Sequence, residues 1–396
     1  MSVSREPRAR RPALRRGRIG LALAGGGPLG AVYEIGALWA LAEALEGVDF
    51  SGLSCYVGVS AGSLLASCLA NGMSPAKLVR LIDGSAAGEE PFDPELFFVP
   101  NYREFLRRGA ALPALFGEAL WHFTRRGRGH AVTKWLKRAA RTVPLGLFDN
   151  EPIREYLTRV FAKRGRTDDF RKLPTRLVVV AADLDSGQTI RFGAKGNDWV
   201  PISRAVQAST ALPGLYPPVQ IDGRNCVDGV LLKTLHASIA LEEGAELLFC
   251  INPIVPVDTT SGERSGVLEP NALRGGGLPA VMSQMFRTLV HSRLELSMSS
   301  YVTRFPDSDV VLFEPARDEY ELFFSNIFSF ETRRSLCELA YRSTRRDLRE
   351  RAEELAPVFA SHGITIRHEV LADVDRSPWD GARDATRRRR VAAGNS

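Results

Sequence analysis

A serine flanked by glycines is the residue in this sequence best suited to nucleophilic chemistry. It lies in Gly58-Val59-Ser60-Ala61-Gly62, directly after a short apolar run. A strand that turns at once into a helix crowds its own backbone, and glycines two residues before and after the serine suit such a turn. The hydroxyl of Ser60 then lies at the N-terminus of the next helix, where free N–H groups favour negative charge. Ser60 is therefore a candidate nucleophile, and the alternative is a turn in which small residues serve only close packing.

A glycine-rich loop precedes this serine. It reads Gly25-Gly26-Gly27-Pro28-Leu29-Gly30 and connects a predicted buried strand, residues 19–24, to a predicted helix, residues 31–45. The pattern G-x-G-x-x-G also occurs in dinucleotide-binding sites, but these need an acidic residue at the end of the second strand, where this chain has Ser60. We therefore favour the other use of such a loop, in which the N–H groups of Gly26 and Gly27 bind an oxyanion beside Ser60.

An aspartate in a turn later in the chain is a further candidate for chemistry. Asp228-Gly229 ends a predicted strand within residues 223–230. Aspartate in such a turn often only caps the backbone, so capping is the alternative role. Two histidines, His236 and His291, follow it and leave open a Ser-Asp-His triad in the chain order of α/β-hydrolases.

Predicted buried strands alternate with predicted helices along most of the chain, which indicates an α/β protein. The chain has 396 residues, of which 44% are hydrophobic, enough for one large domain with insertions or for two domains. Further predicted strands cover residues 176–184, 189–192, 246–251 and 309–313, and further helices cover residues 151–161, 201–209, 278–301 and 330–355.

Several segments depart from this α/β pattern. Residues 86–150 are an insertion rich in Pro, Phe, Trp and Arg, whose apolar stripes and basic rims are typical either of a lid or of helices in a membrane interface. Residues 255–373 are predicted to complete the domain with helices. Residues 1–17 are a basic arm and residues 374–396 a tail, and both are predicted to be disordered.

Charge and cysteine content narrow the class of protein. Much of the net charge of +6 comes from the two termini, and no nucleic-acid-binding fold is indicated. The five cysteines are odd in number and lie mostly in apolar runs, without metal-ligand spacing, which favours buried thiols in a reducing compartment. Arg15-Arg16 followed by the apolar run of residues 19–24 mimics a twin-arginine export signal, but cleavage after that run would remove the glycine-rich loop. No apolar run has transmembrane length. We predict a cytoplasmic protein, with peripheral attachment to a membrane as the alternative.

Several segments, taken in their order along the chain, resemble the patatin-like phospholipases. Members of that family have a glycine-rich oxyanion loop, a G-x-S-x-G elbow one helix later, an Ala-Ser-x-Ala-x-Pro segment and a distant Asp-Gly pair. The resemblance covers residues 18–254 well and the C-terminal third loosely. The segments that carry it are Gly25–Gly30, Gly58–Gly62, Val179–Gly187, Ala208–Pro213 and Asp228-Gly229.

The resemblance implies a three-layer α/β/α fold with a mostly parallel central sheet, an inserted helical lid and a helical C-terminal region, within a hydrolase domain of residues 18–373. It also implies a lipid acyl hydrolase that cleaves carboxylic ester bonds of phospholipids or related lipids. In such an enzyme Ser60 attacks the ester carbonyl and Asp228 acts as the base, through an acyl-enzyme and without metal or cofactor. The implied oxyanion hole consists of Gly25, Gly26, Gly27 and Gly30, and the implied elbow and turn glycines are Gly58, Gly62 and Gly229.

The chain departs from the family pattern in two places. The family's Arg or Lys before the last glycine of the loop is Leu29, which removes a cation from the rim of the oxyanion site. The family's Asp-Gly-Gly is Asp228-Gly229-Val230, and its later Asn-Asn-Pro is Thr234-Leu235-His236. Two alternatives therefore stay open: a catalytically impaired protein that binds lipid or membrane, and a Ser-His-Asp esterase. The expected partners are a lipid ester and, peripherally, an anionic membrane.

Overall fold

The computed structural model describes residues 17–102, 104, 106, 144–320 and 330–383. The strands are β1 Ile19–Leu23, β2 Leu45–Glu46, β3 Cys55–Val59, β4 Arg176–Asp183, β5 Thr189–Phe192, β6 Val219–Ile221, β7 Arg224–Asp228, β8 Leu247–Ile251, β9 Asp309–Phe313 and β10 Thr365–Ile366. The α-helices are α1 Gly27–Ala44, α2 Ala61–Ala70, α3 Pro75–Ile82, α4 Glu151–Phe161, α5 Ile202–Ser209, α6 Ala237–Glu242, α7 Thr259–Arg264, α8 Ala272–Gly275, α9 Gly277–Arg304, α10 Phe330–Glu350, α11 Ala352–Ser361 and α12 His368–Ala372. Short 3-10 helices cover Pro94–Phe97, Phe170–Lys172 and Gly229–Leu231. None of these described helices has the length and apolar character needed to cross a bilayer.

An eight-stranded, mostly parallel sheet forms the centre of the described part of the chain. The strand order is β6-β7-β4-β3-β1-β8-β9, and β5 also pairs with β4. The strands from β4 to β9 in this order are parallel, whereas β5, β6 and β7 are antiparallel to their neighbours. β3 and β8 are buried along their whole length, as parallel strands are when helices cover both faces of a sheet.

The side chains of the central strands alternate between two apolar layers. Leu21 and Phe249 point into one layer, which α1, α2, α3 and α10 fill. Ala22 and Cys250 point into the other, which α6 and α9 fill. This alternation follows from the two-residue period of a strand. It confirms the predicted three-layer α/β/α arrangement.

Most of the predicted insertion over residues 86–150 lies outside the described residues, but both of its ends are described. Pro100 and Phe148 form an antiparallel bridge. The N–H of Phe148 also donates to the carbonyl oxygen of Leu215 at 2.8 Å. The insertion therefore leaves and rejoins the domain at one place, beside Leu215.

The sequence predicts disorder over residues 374–396. In the structure, the first part of this tail, up to residue 383, is described and packs against α1. Trp39 Nε1 donates to the carbonyl oxygen of Pro378 at 3.1 Å, and Glu43 pairs with Arg376. Trp379 is buried. These partners lie more than 300 positions apart along the chain, so no local pattern reveals them. Residues 384–396 of the tail and residues 1–16 of the predicted basic arm lie outside the described residues.

Candidate active site

Ser60 lies between the end of β3 and the start of α2, at a sharp backbone turn. Its φ of 53° and ψ of −129° form a combination that costs a residue with a side chain about 1–3 kcal/mol. Hydrogen bonds hold this conformation, since the Ser60 N–H donates to Ser209 Oγ at 2.8 Å and the Ser60 carbonyl accepts from Ser63 Oγ at 2.5 Å. The Ser60 side chain is thus held in the geometry of a nucleophile elbow.

The elbow glycines are required by close backbone contacts. A methyl group on Gly58 would lie 2.5 Å from the Cα of Ser63. A methyl group on Gly62 would collide with the carbonyl oxygen of Ala24, which accepts the Gly62 N–H at 3.1 Å. Glycine at both positions therefore lets α2 begin directly against the ends of β1 and β3.

Asp228 reaches Ser60 because β7 and β3 share one edge of β4. β3 pairs with the first part of β4 and β7 with its last residues. β5 overlaps both of these segments, so it must occupy the opposite edge. β3 and β7 therefore meet end to end, with Val59 beside Val180 and Asp228 beside Ala181. This register places the last residue of β7 against the residue that follows β3.

The carboxyl group of Asp228 is buried and has two polar neighbours. The Val230 N–H donates to Asp228 Oδ1 at 2.9 Å, and the Ser60 side chain lies within interaction range of the same carboxyl group. Burial raises the pKa of Asp228 to about 7, while the polar contacts with Ser60 and Val230 oppose the rise. A carboxylate with a pKa near neutrality is well suited to take a proton in a catalytic cycle.

The turn after Asp228 needs a glycine at its first position but not at its second. A methyl group on Gly229 would lie 2.7 Å from the carbonyl oxygen of Val180 and 2.9 Å from Cγ2 of Val59. Val230 contributes its backbone N–H to the Asp228 carboxyl group. The valine that replaces the family's glycine therefore leaves this contact in place.

The glycine-rich loop lies directly beside Ser60. A Cβ atom on Gly25 would be 3.1 Å from the Cβ of Ser60. Gly26 and Gly30 pack against Pro253, since Cβ atoms on them would be 2.7 Å and 3.0 Å from its Cγ. The Gly30 N–H donates to the Gly26 carbonyl at 3.0 Å and closes the loop. A side chain on Gly25 would crowd Ser60, and a side chain on Gly26 or Gly30 would crowd Pro253.

The N–H groups of Gly26 and Gly27 are open to a ligand. Neither has an acceptor among the described residues, and both lie at the N-terminus of α1, where the helix dipole attracts negative charge. Gly27 has a φ of 60°, and no atom lies within 4 Å of the place where its side chain would be. The loop thus carries two unpaired N–H donors directly after Gly25, the residue that lies against Ser60.

His236 contacts the turn that contains Asp228 rather than its carboxyl group. The Nε2 of His236 lies 3.2 Å from the carbonyl oxygen of Gly229. Burial lowers the pKa of His236 to about 4, so the imidazole is neutral at physiological pH and donates an N–H to this carbonyl. No described hydrogen bond joins His236 to Ser60 or to the Asp228 carboxyl group.

His291 lies on α9 and contacts another set of charged groups. Its Nε2 is 3.4 Å from Oε1 of Glu295, and its Nδ1 is 3.9 Å from Oε2 of Glu314. Arg317 approaches the same ring, with its Nη2 3.3 Å from Nε2 of His291. The described contacts of His291 thus include neither Ser60 nor Asp228.

Ser209, the last residue of α5, is a residue at this site whose role sequence reasoning missed. Its hydroxyl accepts from the Ser60 N–H at 2.8 Å and donates to the Val180 carbonyl at 2.6 Å. It therefore bridges the point where β3 leaves β4. The available signal was its place in the segment Ala208–Pro213, but that pattern does not reveal a partner 149 positions earlier.

An apolar cluster adjoins the site on the side of Val230. One of its atoms, Val230 Cγ2, would lie 3.4 Å from a Cβ on Gly25, next to Ser60. Apolar side chains that converge beside polar catalytic groups are typical of sites that bind hydrocarbon. The cluster consists of Val230, Ile254 and Val290, with Leu212 and Phe286 packed against them.

The sequence is similar to parts of two curated proteins. It is 28% identical over 234 residues to an uncharacterized NTE family protein of Mycobacterium tuberculosis, which is 59% of this chain and 30% of that protein. It is 32% identical over 81 residues to an uncharacterized NTE family protein of Mycobacterium bovis, which is 20% of this chain and 21% of that protein. The chain thus spans less than a third of the length of these relatives.

Two solved structures were also found to be similar. The match to VipD from Legionella pneumophila has 16% identity and a TM-score of 0.37, and it covers 85% of this chain and 67% of VipD. The match to the type III effector protein ExoU of Pseudomonas aeruginosa has 14% identity and a TM-score of 0.37, and it covers 96% of this chain and 63% of ExoU.

A family model described as "Patatin-like phospholipase" matches residues 21–241. This range is more than half of the 396 residues. It contains the glycine-rich loop, the elbow with Ser60, and Asp228-Gly229. The chain therefore belongs to the patatin-like phospholipases, a family of lipid hydrolases.

Proposed function

We propose that this protein is a lipid acyl hydrolase that cleaves carboxylic ester bonds of phospholipids or related lipids, with Ser60 as nucleophile and Asp228 as general base. The observation that carries the proposal is the strand register in which β3 and β7 meet end to end, because it brings the buried Ser60 next to the buried Asp228. The open N–H groups of Gly26 and Gly27 beside Ser60 support it. Membership of a lipid hydrolase family supports the class of substrate.

In the acylation step the Ser60 Oγ attacks the ester carbonyl carbon while its proton passes to Asp228. The carbonyl oxygen becomes an oxyanion, which the N–H groups of Gly26 and Gly27 bind. The tetrahedral intermediate then breaks the bond to the alcohol oxygen, which takes the proton from Asp228. The alcohol part of the lipid leaves, and the acyl group stays on Ser60.

In the deacylation step a water molecule attacks the acyl carbonyl carbon and gives a proton to Asp228. The same N–H groups bind the second oxyanion. The intermediate expels the Ser60 Oγ, which takes the proton back from Asp228, and a carboxylic acid is released. Protons and electron pairs balance over the two steps without a redox reagent.

The surroundings of Ser60 suggest that hydrocarbon dominates substrate recognition. The apolar cluster around Val230 can contact an acyl chain. Leu29, at the position of the family's cation, is partly buried and packs against the apolar layer of α1. We therefore propose that the acyl chain, rather than an anionic headgroup held at position 29, determines binding.

Two other functions are less well supported by the contacts. A catalytically impaired lipid-binding protein would be expected if Val230 disrupted the Asp-Gly turn, but its N–H still reaches Asp228 at 2.9 Å. A Ser-His-Asp esterase would need a histidine between Ser60 and Asp228. His236 instead lies on the Gly229 carbonyl, and the Ser60 side chain interacts with Asp228 without an intervening histidine.

The test is hydrolysis of p-nitrophenyl butyrate and release of fatty acid from phosphatidylcholine micelles. Ser60→Ala and Asp228→Asn should each lower kcat by about 10³-fold or more, since general-base help alone is worth on the order of 10²–10⁴. His236→Asn keeps an amide donor near the Gly229 carbonyl and should stay within about tenfold of the parent. Ser67→Ala, a buried serine in α2 outside the site, is the matched control.

The variants separate the three functions. Activity that survives in Asp228→Asn and disappears in His236→Asn would identify a histidine-based esterase. A folded parent protein that binds lipid vesicles but releases neither p-nitrophenol nor fatty acid would identify a binding protein. Thermal unfolding of each variant checks that a lost activity is not a lost fold.

A further inference from the structure

The outward face of α9 carries a row of exposed apolar side chains, here named the α9 row. Its members are between 48% and 74% exposed. Their spacing keeps them within roughly 60° of the helix circumference, opposite the buried residues Leu294 and Tyr301 of the same helix. A contiguous apolar surface of this kind marks a site for a partner. The row consists of Leu278, Met282, Met285, Leu289 and Leu296.

The α9 helix is attached to the segment that supports the glycine-rich loop. The side chain of Gln284 forms hydrogen bonds of 3.2 Å and 2.7 Å with the backbone of Val257, and Arg287 donates to the Val255 carbonyl at 3.2 Å. This segment follows the end of β8 and begins near Pro253, against which the loop packs. Parallel strands end at the same edge of a sheet, so the α9 row passes the edge where Ser60 lies.

A second group of exposed apolar residues lies beside the same site. Leu145, Leu147 and Leu215 are between 38% and 52% exposed. The bond from the Phe148 N–H to the Leu215 carbonyl joins the two segments that carry them. Leu212, close to Leu215 in the chain, belongs to the apolar cluster at the site. Apolar side chains thus lie on the surface both on α9 and near Leu212.

Arginines border the α9 row. Arg293 and Arg304 are exposed and, by helical spacing, lie within about 80° of the centre of the row on one side. Arg274 is exposed just before the helix. The acidic residue of α9, Glu295, lies toward the other side and is 3.6 Å from Arg317. An apolar row with a cationic border fits the interface of a bilayer that contains anionic lipids, where acyl chains contact the row and headgroups contact the arginines.

We propose that the α9 row is a docking surface for an anionic lipid bilayer and that it holds the edge of the sheet with Ser60 against the membrane. Docking of this kind needs no spanning helix, because an amphipathic helix parallel to the interface inserts by only about 5–10 Å. This inference rests on the proposed function, since it locates the side from which a lipid ester enters.

The test compares vesicle binding of two double variants made in a Ser60→Ala background, so that no substrate is consumed. Leu278→Gln with Leu289→Gln removes two members of the row. Trp199→Gln with Val374→Gln is the matched control, because these exposed apolar residues lie outside α9. Co-sedimentation uses vesicles of equimolar phosphatidylglycerol and phosphatidylcholine. The row variant should bind at least about tenfold more weakly, and the control should bind like its parent.

Parallel measurements separate docking from catalysis. With Ser60 intact, both double variants should turn over p-nitrophenyl butyrate at the parent rate, because the row lies outside the site. Vesicle binding that is equal in the row variant and its parent would overturn the docking proposal, whatever the ester turnover. Absence of ester turnover together with row-dependent vesicle binding would overturn the hydrolase function and leave docking supported. Light scattering gives a further check: if the row variant changes only the oligomeric state, the row contacts a second copy and the proposal is wrong.

Discussion

Ser209 and Ser60 are joined by a hydrogen bond of 2.8 Å from the Ser60 backbone nitrogen to the Ser209 hydroxyl oxygen. The same hydroxyl donates a hydrogen bond to the Val180 carbonyl. The Ser209 side chain therefore connects the strained elbow to β4. A backbone in a sparsely populated conformation persists only when its surroundings hold it. Ser209 is therefore a positioning residue for Ser60.

Ser209→Ala should lower both stability and turnover. The change leaves a buried N–H and a buried carbonyl without partners, which costs about 1–3 kcal/mol of the free energy of unfolding. Loss of elbow geometry should lower kcat on p-nitrophenyl butyrate by about 10- to 100-fold with little change in KM. The control is Ser67→Ala, whose hydroxyl donates to the Ser63 carbonyl at 2.6 Å within α2. Equal kcat losses in the two variants would show a general effect of stability instead.

The rate should rise with pH around neutrality. Burial raises the pKa of Asp228 to about 7, so at lower pH the base is increasingly protonated and kcat/KM falls by about tenfold per pH unit. Above this value the rate should level off. The measurement is kcat/KM for p-nitrophenyl butyrate from pH 5 to 9, corrected for spontaneous hydrolysis. A profile that is flat over this range would point to a base with a low pKa, such as His236 with its pKa of about 4.

The proposed hydrogen bonds from the glycine-rich loop to the oxyanion can be tested by comparing two glycines that have similar conformations. Gly27 and Gly187 have φ of 60° and 69°, and neither has an atom within 4 Å of its Cβ position. Alanine at either position should cost about 1–2 kcal/mol of stability through backbone strain. Only Gly27→Ala alters the glycine-rich loop that we propose binds the oxyanion, and it should lower kcat by about 10²–10³-fold. Unchanged kcat in Gly27→Ala would assign the oxyanion to other donors.

The local parts of the site could be predicted from the sequence, whereas its long-range contacts could not. The elbow around Ser60 and the glycine-rich loop are patterns of neighbouring residues, set by crowding within a few positions. The contact between Asp228 and Ser60 was implied only by the family resemblance. It depends on strand register, because β3 pairs with the first part of β4 and β7 pairs with the last residues on the same edge. The role of Ser209 and the burial of Trp379 depend on partners far away in the chain, for which sequence patterning has no signal.

Asp228→Asn should stabilise the fold at high pH while it abolishes turnover. The pKa of Asp228 is raised from 3.8 to about 7 by burial, so the folded protein holds this proton more tightly than the unfolded chain does. The free energy of unfolding of the wild-type protein therefore falls as pH rises from about 4 to 7. Above about pH 7 this contribution no longer changes with pH. Asparagine carries no charge and still accepts the Val230 N–H. The variant should gain up to about 4 kcal/mol in free energy of unfolding at pH 8, with little difference near pH 4.

Denaturant unfolding at pH 4.5 and pH 8 measures this gain. Asp258→Asn is the control, because hydrogen bonds from Ser261 lower the pKa of that exposed carboxyl group, so its replacement should give no gain at pH 8. If Asp228→Asn is no more stable than the parent at pH 8, burial does not destabilise the charged carboxylate. The expected rise of kcat/KM around neutral pH then loses its physical basis. If the gain is found together with lost turnover, a charged carboxylate is kept at this buried position against stability, which is the relationship expected of a general base.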